Sequence, residues 1–220
     1  MFVKVCGTTN EEDALLAVAM GADAVGFIFA PSPRQVAPQV VRDIVKRLPS
    51  EILTVGVFRD EAPDRVVEIV HQAGLRAAQL HGHETVEQLH RVKERIPYVF
   101  KAFAAGDPTV RKARQFGATA VLVDNPQPGS GQVFDWSLAE DVPGGLRLVL
   151  AGGLGPDNVA DAIATVKPWG VDACSGLEAS PGHKDARKVR AFVAAAKDAG
   201  DRLLPDAPEG PGPFDWMDDE

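Results

Sequence analysis

Cys6 is one of only two cysteines in this 220-residue chain, and it stands where a short apolar run (Phe2, Val3, Val5) gives way to "CGTTN". Read alone, such a cysteine is a small hydrophobe filling a gap. It has company. Residues able to carry chemistry follow other apolar runs in the same way: Arg34 in "APSPRQV", Gln79 and His81 in "QLHG", Asp124 in "VLVDN", Gly152 and Gly153 in "LAGGL", and Ser175, Gly176 and Glu178 in "CSGLE". Thiols, imidazoles and carboxylates move protons, and a guanidinium can grip a carboxylate through two parallel hydrogen bonds. Plainer readings exist for each. Asp-Asn is good turn chemistry, an arginine beside prolines is commonly solvated, and a lone histidine is commonly a hydrogen-bonded structural group.

The elements that must position these residues recur at a regular beat. Runs rich in branched apolar residues lie at Phe2–Val5, Ala24–Phe29, Ile52–Phe58, Arg76–Leu80, Tyr98–Phe103, Thr119–Val123, Arg147–Leu150 and Gly170–Cys174. Between them, helical spacing is visible in 11–20 (Leu15, Leu16, Val18, Ala19), 38–48, 63–73, 84–95, 108–116, 156–166 and 185–199, with only a short candidate at 136–141. Pro38, Pro63, Pro108 and Pro156 mark helix starts, and Gly21, Gly74, Gly117 and Gly170 stand where a helix end needs a left-handed residue. Eight βα units with no second domain predict one closed (β/α)8 barrel over 1–203, with a doubly wound open sheet as the alternative.

In a (β/α)8 barrel the active site lies at the C-terminal ends of the strands. The glycine loops after strands seven and eight then read as a phosphate site, because backbone N–H groups at a helix start attract a dianion. A third glycine-rich stretch, over 126–132 and ending "PGSGQ", is either a lid or a long connection. Alternation puts Lys4 on the face of Cys6 and Asp172 on that of Cys174, so the two charges can pair beneath the site, as structure or as support for a Cys6 thiolate. Lys101 is a further interior candidate without an assigned role.

Composition narrows the rest. Apolar residues make up 45% and charged residues 25%, as in a soluble globular protein. A net charge of −8 without a Lys/Arg cluster argues against nucleic acid as a partner. No apolar run is long enough to span a membrane and no signal peptide is visible, so the expectation is a cytoplasmic protein, monomer or homodimer, with free thiols. Residues 204–220 carry six acidic residues, four prolines, Phe214 and Trp216, and are expected to be an acidic tail outside the barrel.

The ordered motifs "KVCGTTN", "GADAVGFIFAPSPRQV", "VGVF", "QLHGHE", "VLVDN…GSGQVFDW", "LAGGLGPDNV" and "VDACSGLEASPGHKD" resemble the phosphoribosylanthranilate isomerase family of tryptophan biosynthesis, from residue 3 to about 195. Cys174 departs from the serine frequent in that family, and Ser130 from its threonine. The resemblance implies an Amadori rearrangement of an aminoaldose to an aminoketose without metal or organic cofactor. It also implies Cys6 as general base, Asp124 as general acid, Arg34 as ligand for the anthranilate carboxylate and His81 lining the site. Gly153, Ser175 and Gly176 would hold the phosphate through their N–H groups, while Lys4 and Asp172 stay the possible supporting pair beneath Cys6 that alternation suggests. A base of this kind should have its thiol pKa lowered and an acid its carboxyl pKa raised. Two rivals differ in class. An indole-glycerol-phosphate synthase would show a lysine acid and paired glutamates at strand ends, which are not visible. A silent phosphosugar-binding barrel would have no need of both Cys6 and Asp124.

Overall fold

The computed structural model describes residues 1–126 and 135–203. The eight apolar runs are strands: β1 (Phe2–Val5), β2 (Ala24–Ile28), β3 (Leu53–Phe58), β4 (Ala77–Leu80), β5 (Tyr98–Ala104), β6 (Ala120–Asp124), β7 (Leu148–Leu150) and β8 (Gly170–Ala173). They pair in parallel and in chain order, and β8 closes on β1 with Lys4 opposite Asp172. The barrel is therefore closed, not an open sheet. The glycine-rich segment after β6 and the tail with Phe214 and Trp216 fall outside the described residues.

Strand alternation separates two cores. Phe2, Ala24, Leu53, Val55, Ala77, Phe100, Leu122 and Val149 fill the barrel interior, with Phe2 stacked on Trp169 at 4.6 Å. The intervening residues, such as Val3, Val25, Val99 and Val121, face the helices. Those helices are α1 (Glu11–Ala19), α2 (Pro38–Val45), α3 (Pro63–Ala73), α4 (Val86–Lys93), α5 (Ala113–Phe116), α6 (Val159–Val166) and α7 (Ala186–Leu203). Pro38 and Pro63 open α2 and α3, and Pro108 opens a 3-10 turn over Pro108–Lys112 ahead of α5. Between β6 and β7 the described chain holds a 3-10 helix, Trp136–Asp141.

Several details differ from the sequence reading. The buried face of α1 is Ala14 and Ala17, while Leu15 points outward at 39% exposure, because small residues let α1 lie close to the barrel. Helix α6 begins at Val159, three residues after Pro156, and the left-handed residue at its end is Lys167 (φ 50°) rather than Gly170. Gly170 lies inside β8, where a Cβ would stand 2.9 Å from the Phe2 carbonyl oxygen. Lys101 is outside the lumen. Its neighbours Phe100 and Ala102 point inward, so its ammonium runs between strand and helices to Glu84 Oε2 at 2.7 Å and the Gly82 carbonyl at 2.7 Å. A short hairpin, β9 (Glu178–Ser180) and β10 (His183–Lys184), turns at Pro181-Gly182 with Gly182 at φ 84°.

Candidate active site

Inward alternation carries past the strand ends. Cys6 continues the face of Phe2 and Lys4, His81 that of Ala77 and Gln79, Asp124 that of Leu122, Gly153 that of Val149 and Ala151, and Cys174 that of Asp172. One end of the barrel thereby collects all of them. Between the ends of β6, β7 and β8 lies a cleft lined by Asp124, Asn125, Gly152, Gly153, Asp172, Cys174 and Ser175.

Glycines make that cleft possible. Gly152 (φ 86°) passes so close to β6 that a Cβ would sit 2.6 Å from the Asn125 nitrogen and 2.9 Å from Asp124 Oδ1. At Gly176 a Cβ would run into the Leu154 carbonyl, so the loops after β7 and β8 interlock. Asn158 clasps the first of these: its Oδ1 accepts from the Gly155 N–H at 2.9 Å and its Nδ2 donates to the Gly153 carbonyl at 3.0 Å. Ser175 and Gly176 begin a 3-10 helix (Ser175–Leu177), where the first N–H groups have no acceptor within the helix.

Asp124 is not an isolated carboxyl. Its Oδ1 accepts from the Asn125 N–H at 2.7 Å, and its Oδ2 lies 3.3 Å from His81 Nε2. Gln79 Nε2 is 3.0 Å from His81 Nδ1. His81 is thus a partner of the acid candidate, with the Gln79 amide against its other ring nitrogen.

Cys6 occupies a tighter place than expected. It is 5% exposed, and burial pushes its thiol upward in pKa, opposed by the Lys4 ammonium. The expectation of a lowered pKa is corrected here: the low-dielectric surroundings disfavour the thiolate more than one shared cation favours it. Lys4 Nζ, fully buried, contacts Asp172 Oδ2 at 2.9 Å and also hydrogen-bonds Cys6. Burial works against the Lys4 charge, but Asp172 and Cys6 outweigh it and raise its pKa. Gly26 on β2 leaves room for this group, since a Cβ there would be 2.8 Å from Cys6 Sγ and 3.1 Å from Lys4 Nζ. Cys174, also a free thiol, is pushed up to about 12 by burial and by its neighbour Cys6.

Arg34 is not a solvated loop residue. It is 8% exposed, and its Nε and Nη2 grip Glu178 Oε1 and Oε2, both at 2.7 Å. Lys184 Nζ lies 3.5 Å from the same carboxylate. Burial alone would raise the Glu178 pKa, yet the Arg34 hydrogen bonds and Lys184 hold it below its ordinary value. Glu178 and Lys184 come from the hairpin that the sequence reading missed. The signal for it was the "PG" turn between two very short flanks.

The cleft therefore unites Asp124, Gly153, Asp172 and Ser175. His81 joins through Asp124, while Cys6 and Arg34 lie beside it under the hairpin. Among the described residues no group of three or more His, Cys, Asp or Glu side chains could hold a metal ion, and no helix is long and apolar enough to cross a membrane.

Comparison with known proteins agrees with this geometry. The family model for N-(5'-phosphoribosyl)anthranilate (PRA) isomerase matches residues 3–195. The N-(5'-phosphoribosyl)anthranilate isomerase of Desulforudis audaxviator is 45% identical over 204 residues, covering 90% of this chain and 98% of its own. The phosphoribosyl anthranilate isomerase structure from Thermus thermophilus superposes with a TM-score of 0.83 at 38% identity, covering 90% of this chain and 99% of its own. A phosphoribosyl anthranilate isomerase in complex with reduced 1-(o-carboxyphenylamino)-1-deoxyribulose 5-phosphate gives a TM-score of 0.80 at 39% identity, with the same coverage. This chain belongs to the phosphoribosylanthranilate isomerase family.

Proposed function

We propose that this barrel end isomerises N-(5'-phosphoribosyl)anthranilate to 1-(2-carboxyphenylamino)-1-deoxyribulose 5-phosphate in L-tryptophan biosynthesis, with Asp124 as general acid and Cys6 as general base. The observation that carries the assignment is the convergence, in one cleft, of the Gly152-Gly153 and Ser175 loops with Asp124, beside Cys6. The loops suit a phosphate, and Asp124 on β6 stands next to them, where the ribose ring would lie.

The chemistry needs two proton transfers. Asp124 gives a proton to the ring oxygen, the C1'–oxygen bond breaks, and the nitrogen lone pair forms the iminium. Cys6 then removes the C2' proton, the electrons move to the iminium, and the resulting enolamine tautomerises to the ketone. His81, against Asp124 Oδ2, is placed to steady that carboxyl before and after it gives up its proton. Arg34 receives the anthranilate carboxylate. Glu178 occupies its Nε–Nη2 edge, which leaves Nη1 for the substrate. Every group comes from one chain, so the mechanism operates in a monomer or a homodimer.

Decay of anthranilate-type fluorescence on adding protein to freshly made substrate tests the activity. Cys6→Ser and Asp124→Asn should each lower kcat by at least ~10²-fold with KM within a few-fold, as groups used in the transition state. Arg34→Ala should act mainly on KM. A near-native kcat in Cys6→Ser would move the base elsewhere on the rim.

A further inference from the structure

Lys184 has a buried ammonium with three acceptors: the Cys6 carbonyl at 2.6 Å, the Cys174 carbonyl at 3.1 Å and Glu178 Oε1 at 3.5 Å. Its backbone N–H donates to Asp13 Oδ2 of α1 at 2.9 Å, and the Gly182 carbonyl accepts the Thr9 hydroxyl at 2.5 Å. The hairpin is therefore strapped to α1, and Lys184 is driven onto the ends of β1 and β8.

We propose that Lys184 is a positioning residue for the Cys6 base. It holds the Cys6 and Cys174 backbones in register and supplies the positive potential that favours the Cys6 thiolate, while Glu178 limits that potential. This rests on the reading of Cys6 as the base. The charges near Cys6 fall in two layers. Below, Lys4 hydrogen-bonds Cys6 and favours its thiolate, and Asp172, 2.9 Å from Lys4, offsets part of that effect. Above, Arg34, Glu178 and Lys184 leave one surplus positive charge, because Glu178 is engaged by Arg34 at 2.7 Å and reaches Lys184 only at 3.5 Å. Asp13 from α1 accepts the Lys184 backbone N–H, and Cys174, just after β8, is held mainly as a neutral thiol by burial. Lys184 thus adds a second cation beside Cys6, after Lys4, and each favours a buried thiolate. A simple strut would hold the backbone without altering the thiol.

The test follows the Cys6 thiolate by its ultraviolet absorbance as pH rises, in the full chain carrying Cys174→Ser. Lys184→Met should raise the titration midpoint by roughly one pH unit, so that kcat/KM at neutral pH falls about tenfold with KM little changed. Lys184→Arg should restore most of the loss. Glu178→Gln should move the midpoint the other way, a sign that general structural damage would not produce. An unmoved midpoint in Lys184→Met, or the same direction in both variants, overturns the inference. If Lys184→Met does not fold, Glu178→Gln decides alone, and a midpoint unmoved or raised there overturns it. Near-native kcat in Cys6→Ser would instead remove the base reading and leave the titration result standing.

Discussion

Gly26 lacks a side chain where Lys4 and Cys6 need the space. The atoms a Cβ would meet are the ends of two side chains, not backbone, so the barrel can absorb Gly26→Ala by pushing them aside. That variant should therefore lose at least about tenfold in kcat while its melting temperature stays near native, since a small misplacement of a reacting group is costly. Kinetics and a thermal melt on the same sample check it. The raised pKa of Cys6 gives a second expectation. The base form appears only as pH passes above the ordinary thiol value, so kcat/KM should still be rising in the alkaline range. Asp172 is one of the groups raising that pKa, and Asp172→Asn should shift the rising limb to lower pH. Cys6, His81 and Asp124 were legible in the sequence because each follows an apolar run at a strand end. Gln79, on the same strand face as His81, and the Lys4–Asp172 pair were legible too; the close approach at Gly26 was not. Gly26 acts across strands, on Lys4 of β1 and Cys6 just after it, and no local pattern shows which side chains it will meet.

At the scale of elements, the ion pair of Lys101 and Glu84 ties β5 to the loop that carries His81. Both side chains are nearly fully buried, and Glu84 also accepts from the Asp60 and Gly82 N–H groups. Lys101→Met would leave that carboxylate buried without its cation. It should cost about 3–5 kcal/mol of stability, measurable by urea unfolding, because a broken buried pair strands a charge. Strands and most helices were readable from their periods and from the prolines and glycines at their ends. The hairpin was not, because strands of three and two residues are too short to show alternation. Lys167 in the left-handed region was missed for a different reason: the sequence offered a glycine three residues later that suited the same role.

For the whole molecule, eight βα units close within residues 1–203. We expect a chain ended after Leu203 to keep its melting temperature and kcat, and a marked fall in either would assign the acidic tail a part in the barrel. Acid should unfold the protein in part through Glu178. Its folded pKa lies below the ordinary 4.5, so its stabilising contribution is complete above that value and is lost as pH falls through the folded pKa. Melting temperatures should therefore fall below about pH 4.5, and less steeply in Glu178→Gln.

The hydrogen bond from Lys184 to the Cys6 carbonyl spans 178 positions of the chain. On a ribosome adding about 5–20 residues per second, Cys6 leaves the tunnel and waits roughly 10–35 s for the residue that will cover it. During that interval its thiol is open to solvent and its strand has no partner on the β8 side. Oxidants and wrong strand pairings thus have their best opportunity before the protein is complete, and the last hairpin to emerge closes it.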